Sequence, residues 1–292
     1  MCVICGCGTP GTEPADHAMA HRKGHAHQHH DGGSLDFGSG LDFGSGDVGP
    51  DSAHAHAPGV GKERAIRIER DILAANDAFA AANRARLLQQ GSFALNIVSS
   101  PGAGKTSLLI RLVEHIRTFL PVAVIEGDQQ TSRDAERIRA TGAAAVQVNT
   151  GKGCHLDAHM VSHAMDMLPT PQNGVLFIEN VGNLVCPAAF DLGERSRMVV
   201  LSVTEGEDKP LKYPHIFSSS HLMVLNKIDL LPHLDFDRDA CIAAARRVNP
   251  HLQILEVSAR TGAGLNELAG WVMQCRPAAV PDGPDHAYPA RR

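Results

Sequence analysis

The sequence predicts an α/β fold, a mostly parallel sheet with helices on both faces, preceded by a disordered His-rich N-terminal tail. Three observations predict it. Short β-branched or apolar runs at 93–99, 122–126, 144–149, 175–180, 198–203, 221–226 and 253–258 alternate with helical stretches, the pattern of parallel strands joined by covering helices. The first run leads into a glycine turn ending Gly104-Lys105-Thr106 and then into a helical pattern, Leu108 to Leu120, which makes the fold of the P-loop NTPase kind. Composition also changes sharply near residue 60, where a Gly-, Asp-, Ser- and His-rich stretch gives way to one with regular apolar periodicity.

From the N-terminus, three of the seven cysteines crowd into Met1-Cys2-Val3-Ile4-Cys5-Gly6-Cys7. In a reducing compartment such spacing points to metal ligation or redox chemistry rather than to a disulfide framework. Three thiolates with the α-amino group suit a square-planar Ni²⁺, and thiolates also suit a tetrahedral Zn²⁺. Residues 8–60 contain few aliphatic side chains and a tandem repeat, Leu35 to Gly40 and Leu41 to Gly46. Such a segment buries too little apolar surface to offset its chain entropy and reads as a disordered tether. Eight of the 17 histidines fall between His17 and His56, and a mobile imidazole cluster favours metal capacity over geometry, hence storage or buffering.

A long helix is expected from 63 to about 90, with Ile66, Ile72, Leu73, Phe79 and Leu87 available for packing and Gly91 as the stop. It opens a nucleotide-binding domain spanning 61–280, and 281–292 reads as a disordered tail. Within the domain, Ser100-Pro101-Gly102-Ala103-Gly104-Lys105-Thr106-Ser107 joins strand to helix, so backbone N–H groups and the helix N-terminus face an anion. Lys105 is expected at the β and γ phosphates and Thr106 on Mg²⁺. The strict pattern asks for glycine at position 99, where this chain has serine. Asp128 and Asp134, beyond the second strand, are candidates for the Mg²⁺ shell or for positioning the attacking water, against plainer readings as a turn residue and a helix cap.

The strand 175–180 carries Glu179 at its C-terminal end, the edge where open parallel sheets bind ligands, so Glu179 suits the Mg²⁺ shell. Gly182 is placed to sense the γ-phosphate through its N–H. Asn183 follows where many small GTPases carry the glutamine that orients water. Cys154-His155 and, four residues beyond Gly182, Cys186 supply soft metal ligands. His159 and His163 continue His155 at i+4 spacing and read as helix-surface residues. An ion held at Cys186 would be coupled to nucleotide state, because two ligands that prefer different conformations influence each other reciprocally.

The base is chosen by Asn226-Lys227-Ile228-Asp229. A carboxylate accepts from both N1–H and N2–H of guanine, whereas adenine presents a lone pair at N1. Asp229 therefore selects GTP/GDP, with Asn226 adding polar contacts, Lys227 covering the ring, and Ser258-Ala259 offering a backbone contact to the guanine oxygen.

Bulk properties exclude more than they identify. The chain has 292 residues, 43% of them hydrophobic, which supports a sizeable core, and its net charge of −5 invites neither nucleic acid nor an anionic membrane. No apolar run approaches the roughly 18 residues of a membrane span, and the start lacks the apolar core of a secretory signal, so a cytoplasmic location is expected.

Taken together these stretches resemble the hydrogenase nickel-incorporation GTPase, the HypB family. The resemblance runs through the Cys-rich start, Ser99 to Thr106, Glu126-Gly127-Asp128-Gln129-Gln130, Asn149 to Asp157, Glu179 to Pro187, Thr204 to Pro210 and Asn226 to Asp229. It implies GTP hydrolysis, nickel delivery to the large subunit of a [NiFe] hydrogenase, a homodimer favoured by GTP, and cooperation with a small zinc-containing accessory protein. It also implies two metal sites: a tight one at Cys2, Cys5 and Cys7, and a weaker Ni²⁺/Zn²⁺ site at Cys154, His155 and Cys186 near the dimer interface. The related urease accessory GTPase would be expected to show Cys-Pro-His, whereas here Cys154 and His155 are adjacent.

Overall fold

A computed structural model of the chain describes residues 62–128, 133–151 and 153–277. The Cys2-Cys5-Cys7 motif, the His-rich stretch to residue 60 and the tail from 281 lie outside the described residues. Seven strands form one sheet: β1 Phe93–Ser99, β2 Val122–Asp128, β3 Ala144–Asn149, β4 Val175–Gly182, β5 Ser196–Ser202, β6 Leu222–Asn226 and β7 Gln253–Val257. Their order is β3-β2-β4-β1-β5-β6-β7, and every neighbouring pair is parallel. All seven expected strands are present. β2 and β4 run further than expected, which places Asp128 and Gly182 at strand ends on the C-terminal edge of the sheet.

The helices are α1 Lys62–Gln89, α2 Lys105–Ile116, α3 Arg133–Ala140, α4 Ala158–Met167, α5 Lys209–Lys212, α6 Pro214–Ser218, α7 Arg238–Val248 and α8 Leu265–Gln274. Short 3-10 turns occupy Cys186–Ala189 and Ile228–His233. β1 is buried along its whole length, as a central strand covered on both faces must be. Its alternation divides the core. Phe93, Leu95 and Ile97 pack with Leu109, Leu112, Val113 and Ile116 of α2 and with Leu268 and Val272 of α8. On the opposite face Ala94 joins Val161 and Met165 of α4, while Val98 joins Ile216 of α6 and Cys241 of α7. Each large aliphatic side chain so buried contributes about 1.5–3 kcal/mol.

α1 corrects one expectation. Of the apolar residues expected to pack, Leu87 is buried, but Ile66 is 50%, Ile72 53% and Phe79 41% exposed. The face turned inward is Asn76, Ala80, Asn83 and Leu87, at spacings of four, three and four residues. From Asn76 to Asn83 the helix lies on the domain through two amides and a small side chain, because there it meets polypeptide backbone; at its C-terminal end Leu87 enters the apolar cluster of Ala94, Val161 and Met165. No described helix is long and apolar enough to cross a membrane.

Candidate functional site

The turn between β1 and α2 is shaped by Gly104, whose φ of +89° is left-handed and which caps α2 without a side chain. A Cβ there would meet Asn226 Nδ2 at 2.7 Å, so the turn and the Asn226 loop pack backbone to side chain. Pro101 and Gly102 are exposed at the rim, Ala103 is buried beneath, and Lys105, Thr106 and Ser107 form the first turn of α2. Lys105 Nζ donates to Glu179 Oε1 at 2.7 Å; Thr106 Oγ1 donates to the same oxygen at 2.5 Å and lies 3.1 Å from Asp134 Oδ2. Four residues separated by up to 74 positions thus converge at the head of α2.

Glu179 shares this place with a carboxylate that sequence reasoning passed over. Glu126 of β2 is paired directly with Glu179 of β4 in the sheet, and both are buried. Burial, with the Glu179 and Asp128 carboxylates beside it, pushes the Glu126 pKa up to about 8. Glu126 Oε2 and Glu179 Oε2 are buried with no hydrogen-bond partner among the described residues. Adjacent carboxylates with unused oxygens, beside a threonine hydroxyl and Asp128, are the donor set of a hard divalent cation, so Mg²⁺ fits these residues. Asp134 sits in the first turn of α3, also paired with Arg137 at 3.0 Å. A second overlooked side chain is Lys209 at the start of α5, whose Nζ reaches Ser100 Oγ at 3.3 Å.

At the end of β6, Asn226 donates to the Ala103 carbonyl at 2.9 Å and accepts from the Ala259 N–H at 3.3 Å, tying the phosphate turn to the 258–259 loop. Lys227, with a left-handed φ of +63°, donates to the Gly102 carbonyl at 2.7 Å. Ser258 Oγ donates to Asp229 Oδ1 at 2.5 Å, which holds the carboxylate in place. The sheet's C-terminal edge therefore brings the turn, Asn226, Lys227, Asp229, Ser258 and Ala259 together in one hydrogen-bonded group.

The soft ligands converge separately. Cys154 Sγ, a His155 ring nitrogen and Cys186 Sγ all lie within 4.8 Å of one another, each half-buried. Burial raises the Cys154 thiol pKa, as does the Cys186 thiol beside it, and burial lowers that of His155. His155 packs on Phe190 at 4.1 Å between ring centroids. These donors can hold a borderline or soft transition metal. His159 and His163 lie at the surface of α4, their Nε2 atoms 3.0 Å apart, with His159 packed on Phe79.

The end of β4 touches both groups. On one side Glu179 meets Lys105 and Thr106, and a Cβ at Gly182 would come within 3.1 Å of Pro101 Cα. On the other, Asn180 Oδ1 accepts from the Leu156 N–H at 3.0 Å and Asn183 Nδ2 donates to the Cys154 carbonyl at 3.4 Å. Cys186 follows within the same stretch of chain.

Residues 93–256 match the family described as CobW/HypB/UreG, nucleotide-binding domain. The chain is 63% identical over 228 residues to the hydrogenase maturation factor HypB of Azotobacter vinelandii, covering 78% of this chain and 75% of that protein. It is 56% identical over 295 residues to that of Rhizobium leguminosarum bv. viciae, covering 93% and 95%. Among solved structures, HypB from Helicobacter pylori in complex with nickel superposes with a TM-score of 0.66 at 36% identity, over 69% of this chain and 94% of that one.

Proposed function

Because this chain belongs to the HypB family of hydrogenase maturation factors, we propose that it is a GTP-hydrolysing nickel metallochaperone that delivers Ni²⁺ to the large subunit of a [NiFe] hydrogenase. The observation that supports this reading best is the end of β4, bonded on one side to the phosphate turn and on the other to the Cys154–His155 loop. A nickel complex of the Helicobacter pylori relative supports the choice of metal.

In this reading Lys105 binds the β and γ phosphates, Thr106, Glu179 and Asp128 hold Mg²⁺, and Asp229 reads guanine with Asn226, Lys227, Ser258 and Ala259. Mg²⁺ supplies charge neutralisation on the phosphate oxygens. When GTP is bound, Lys105 exchanges Glu179 for phosphate, Gly182 N–H reports the γ-phosphate, and Asn180 and Asn183 carry the shift to Leu156 and Cys154. Hydrolysis reverses it, at roughly 10⁻⁴ to 10⁻² per second without a stimulating partner. Cys154, His155 and Cys186 hold Ni²⁺ or Zn²⁺ with three donors; a four-coordinate ion keeps one position for a ligand from the second copy of a GTP-favoured homodimer or from the receiving protein. Cys2, Cys5 and Cys7 in the 1–7 motif form a tighter Ni²⁺ site, and the 8–60 stretch buffers nickel ahead of the 61–280 domain. A small zinc-containing accessory protein cooperates in transfer, and the work is done in the cytoplasm.

The test is a Ni²⁺ titration in the presence of GTP or GDP, comparing the parent chain with a Cys2/Cys5/Cys7→Ala variant and with Cys186→Ala. The first variant is expected to lose a tight site, the second a weaker site whose affinity depends on nucleotide. Nickel binding confined to the His-rich stretch and indifferent to nucleotide would replace gated delivery with storage.

A further inference from the structure

An amide side chain offers two donors and an acceptor, and leaving a buried one unpaired costs about 1–3 kcal/mol. The partners of a buried asparagine therefore say what it holds. Asn76 and Asn83 lie two turns apart on the inward face of α1, 6% and 2% exposed. Asn76 Oδ1 accepts from the Ala158 N–H at 2.9 Å, and its Nδ2 donates to the Asp191 carbonyl at 2.8 Å. Asn83 Nδ2 donates to the Ala158 carbonyl at 2.8 Å and to the Leu192 carbonyl at 3.2 Å.

Both amides thus bridge the same two stretches of backbone. One is the first residue of α4, just beyond Cys154 and His155; the other lies just beyond Cys186. Ala158 is gripped at both its N–H and its carbonyl, the N–H being one that the helix start leaves without an internal partner. The Cys186 side is braced further: Arg84 pairs with Asp191 at 2.8 Å, and Arg197 donates to the carbonyls of Ala188 at 3.1 Å and Phe190 at 2.7 Å. The two stretches also meet directly, through Asn183 on the Cys154 carbonyl and His155 on Phe190, and α1 adds a second tie that holds both backbones at once.

We propose that Asn76 and Asn83 are positioning residues for the Cys154, His155 and Cys186 site. By fixing the start of α4 against residues 191–192, they set the separation between the Cys154–His155 pair and Cys186, and they make that separation depend on where α1 lies. This inference rests on the reading of the three side chains as a metal site. It accounts for amides at positions 76 and 83 of the inward face of α1: leucine there could not hold two backbones at one spacing.

The experiment uses the full chain with Cys2, Cys5 and Cys7 replaced by Ala, and reads only the Ni²⁺ binding that Cys186→Ala abolishes, so that nickel held by the histidines between His17 and His56 is subtracted. Asn83→Leu removes both of that residue's bonds while keeping the branch at Cγ; Asn76→Asp keeps the acceptor for Ala158 and turns an oxygen toward the Asp191 carbonyl. Each is expected to weaken Ni²⁺ binding by about 10-fold or more, the usual effect of losing support behind a ligand. The thiolate-to-nickel charge-transfer band should shift, and diamide-driven crosslinking of Cys154 to Cys186 should slow, while GDP affinity stays within about two-fold, reporting an intact fold. Unchanged nickel affinity, band and crosslinking rate would overturn the inference. Should Asn83→Leu fail to bind GDP, Asn76→Asp decides. If the parent itself shows no Ni²⁺ binding that Cys186→Ala abolishes, the metal-site reading has failed, and the inference falls with it.

Discussion

In the proposed reading Asp229 carries the choice of base in a single carboxylate, and Ser258 holds that carboxylate. Asp229→Asn replaces an acceptor with a donor, so GTP affinity should fall about 100-fold or more while xanthosine triphosphate is gained, measured by nucleotide competition. That residue was legible because the chemistry of its motif is contiguous, as is the Gly104-Lys105-Thr106 turn. Glu126, Lys209, Asn76 and Asn83 were not, since what each does is set by partners distant in the chain, such as Ala158 and Asp191 for Asn76. Cys241 illustrates the reverse, a residue of reactive type made inert. It is fully buried, and burial, with Glu207 and Glu205 nearby, pushes its thiol pKa up to about 12. At pH 8 it is a thiol in the folded chain, and iodoacetamide should label it at least about 100-fold more slowly than Cys154 or Cys186, as read by peptide mass spectrometry, until the chain is unfolded.

At the scale of elements, seven strands were recognisable as short apolar runs because five are buried on both faces along most of their length, and the half-buried edge strands β3 and β7 still carry Ala144, Val146 and Val148 and Ile254 and Leu255. α1 was recognisable as a helix and Leu87 as a packing residue, yet the Asn76, Ala80 and Asn83 part of its inward face was not, because periodicity in apolar residues finds the side that meets other side chains, and there the helix meets backbone; only Leu87 enters the apolar core. Leu87→Ala should therefore cost about 2–4 kcal/mol in urea unfolding. Ile72→Ala, at an exposed position, should stay within about 0.5 kcal/mol. Equal effects would mean that α1 packs on its isoleucine face. The end of β4 offers a sharper test. Gly182→Ala sets a methyl group 3.1 Å from Pro101 Cα, tighter than backbone tolerates without shifting. Weaker GTP binding and weaker nucleotide dependence of Ni²⁺ affinity are expected together; loss of the first without the second would separate the strand from the coupling.

For the whole molecule, alternation of strands and helices predicted a parallel sheet but not its order, because strand order depends on which crossover returns inward. β4 returns between β2 and β1, and that return is what sets Glu179 against both Glu126 and Lys105. Deleting residues 8–60 should leave GTP hydrolysis unchanged, and hydrogenase maturation intact in nickel-rich medium but impaired when nickel is scarce; maturation lost at every nickel level would assign that stretch a delivery role. The grip of α1 on Asp191 and Leu192 also has a temporal side. Those partners follow Asn76 and Asn83 by 115 and 109 positions. At about 5–20 residues per second of translation, the helix waits roughly 5 to 23 s for the backbone it clasps. A nascent chain therefore exposes Cys154 and His155 before Cys186 or the clasp exists, and its soft ligands become one site only when most of the domain has left the ribosome.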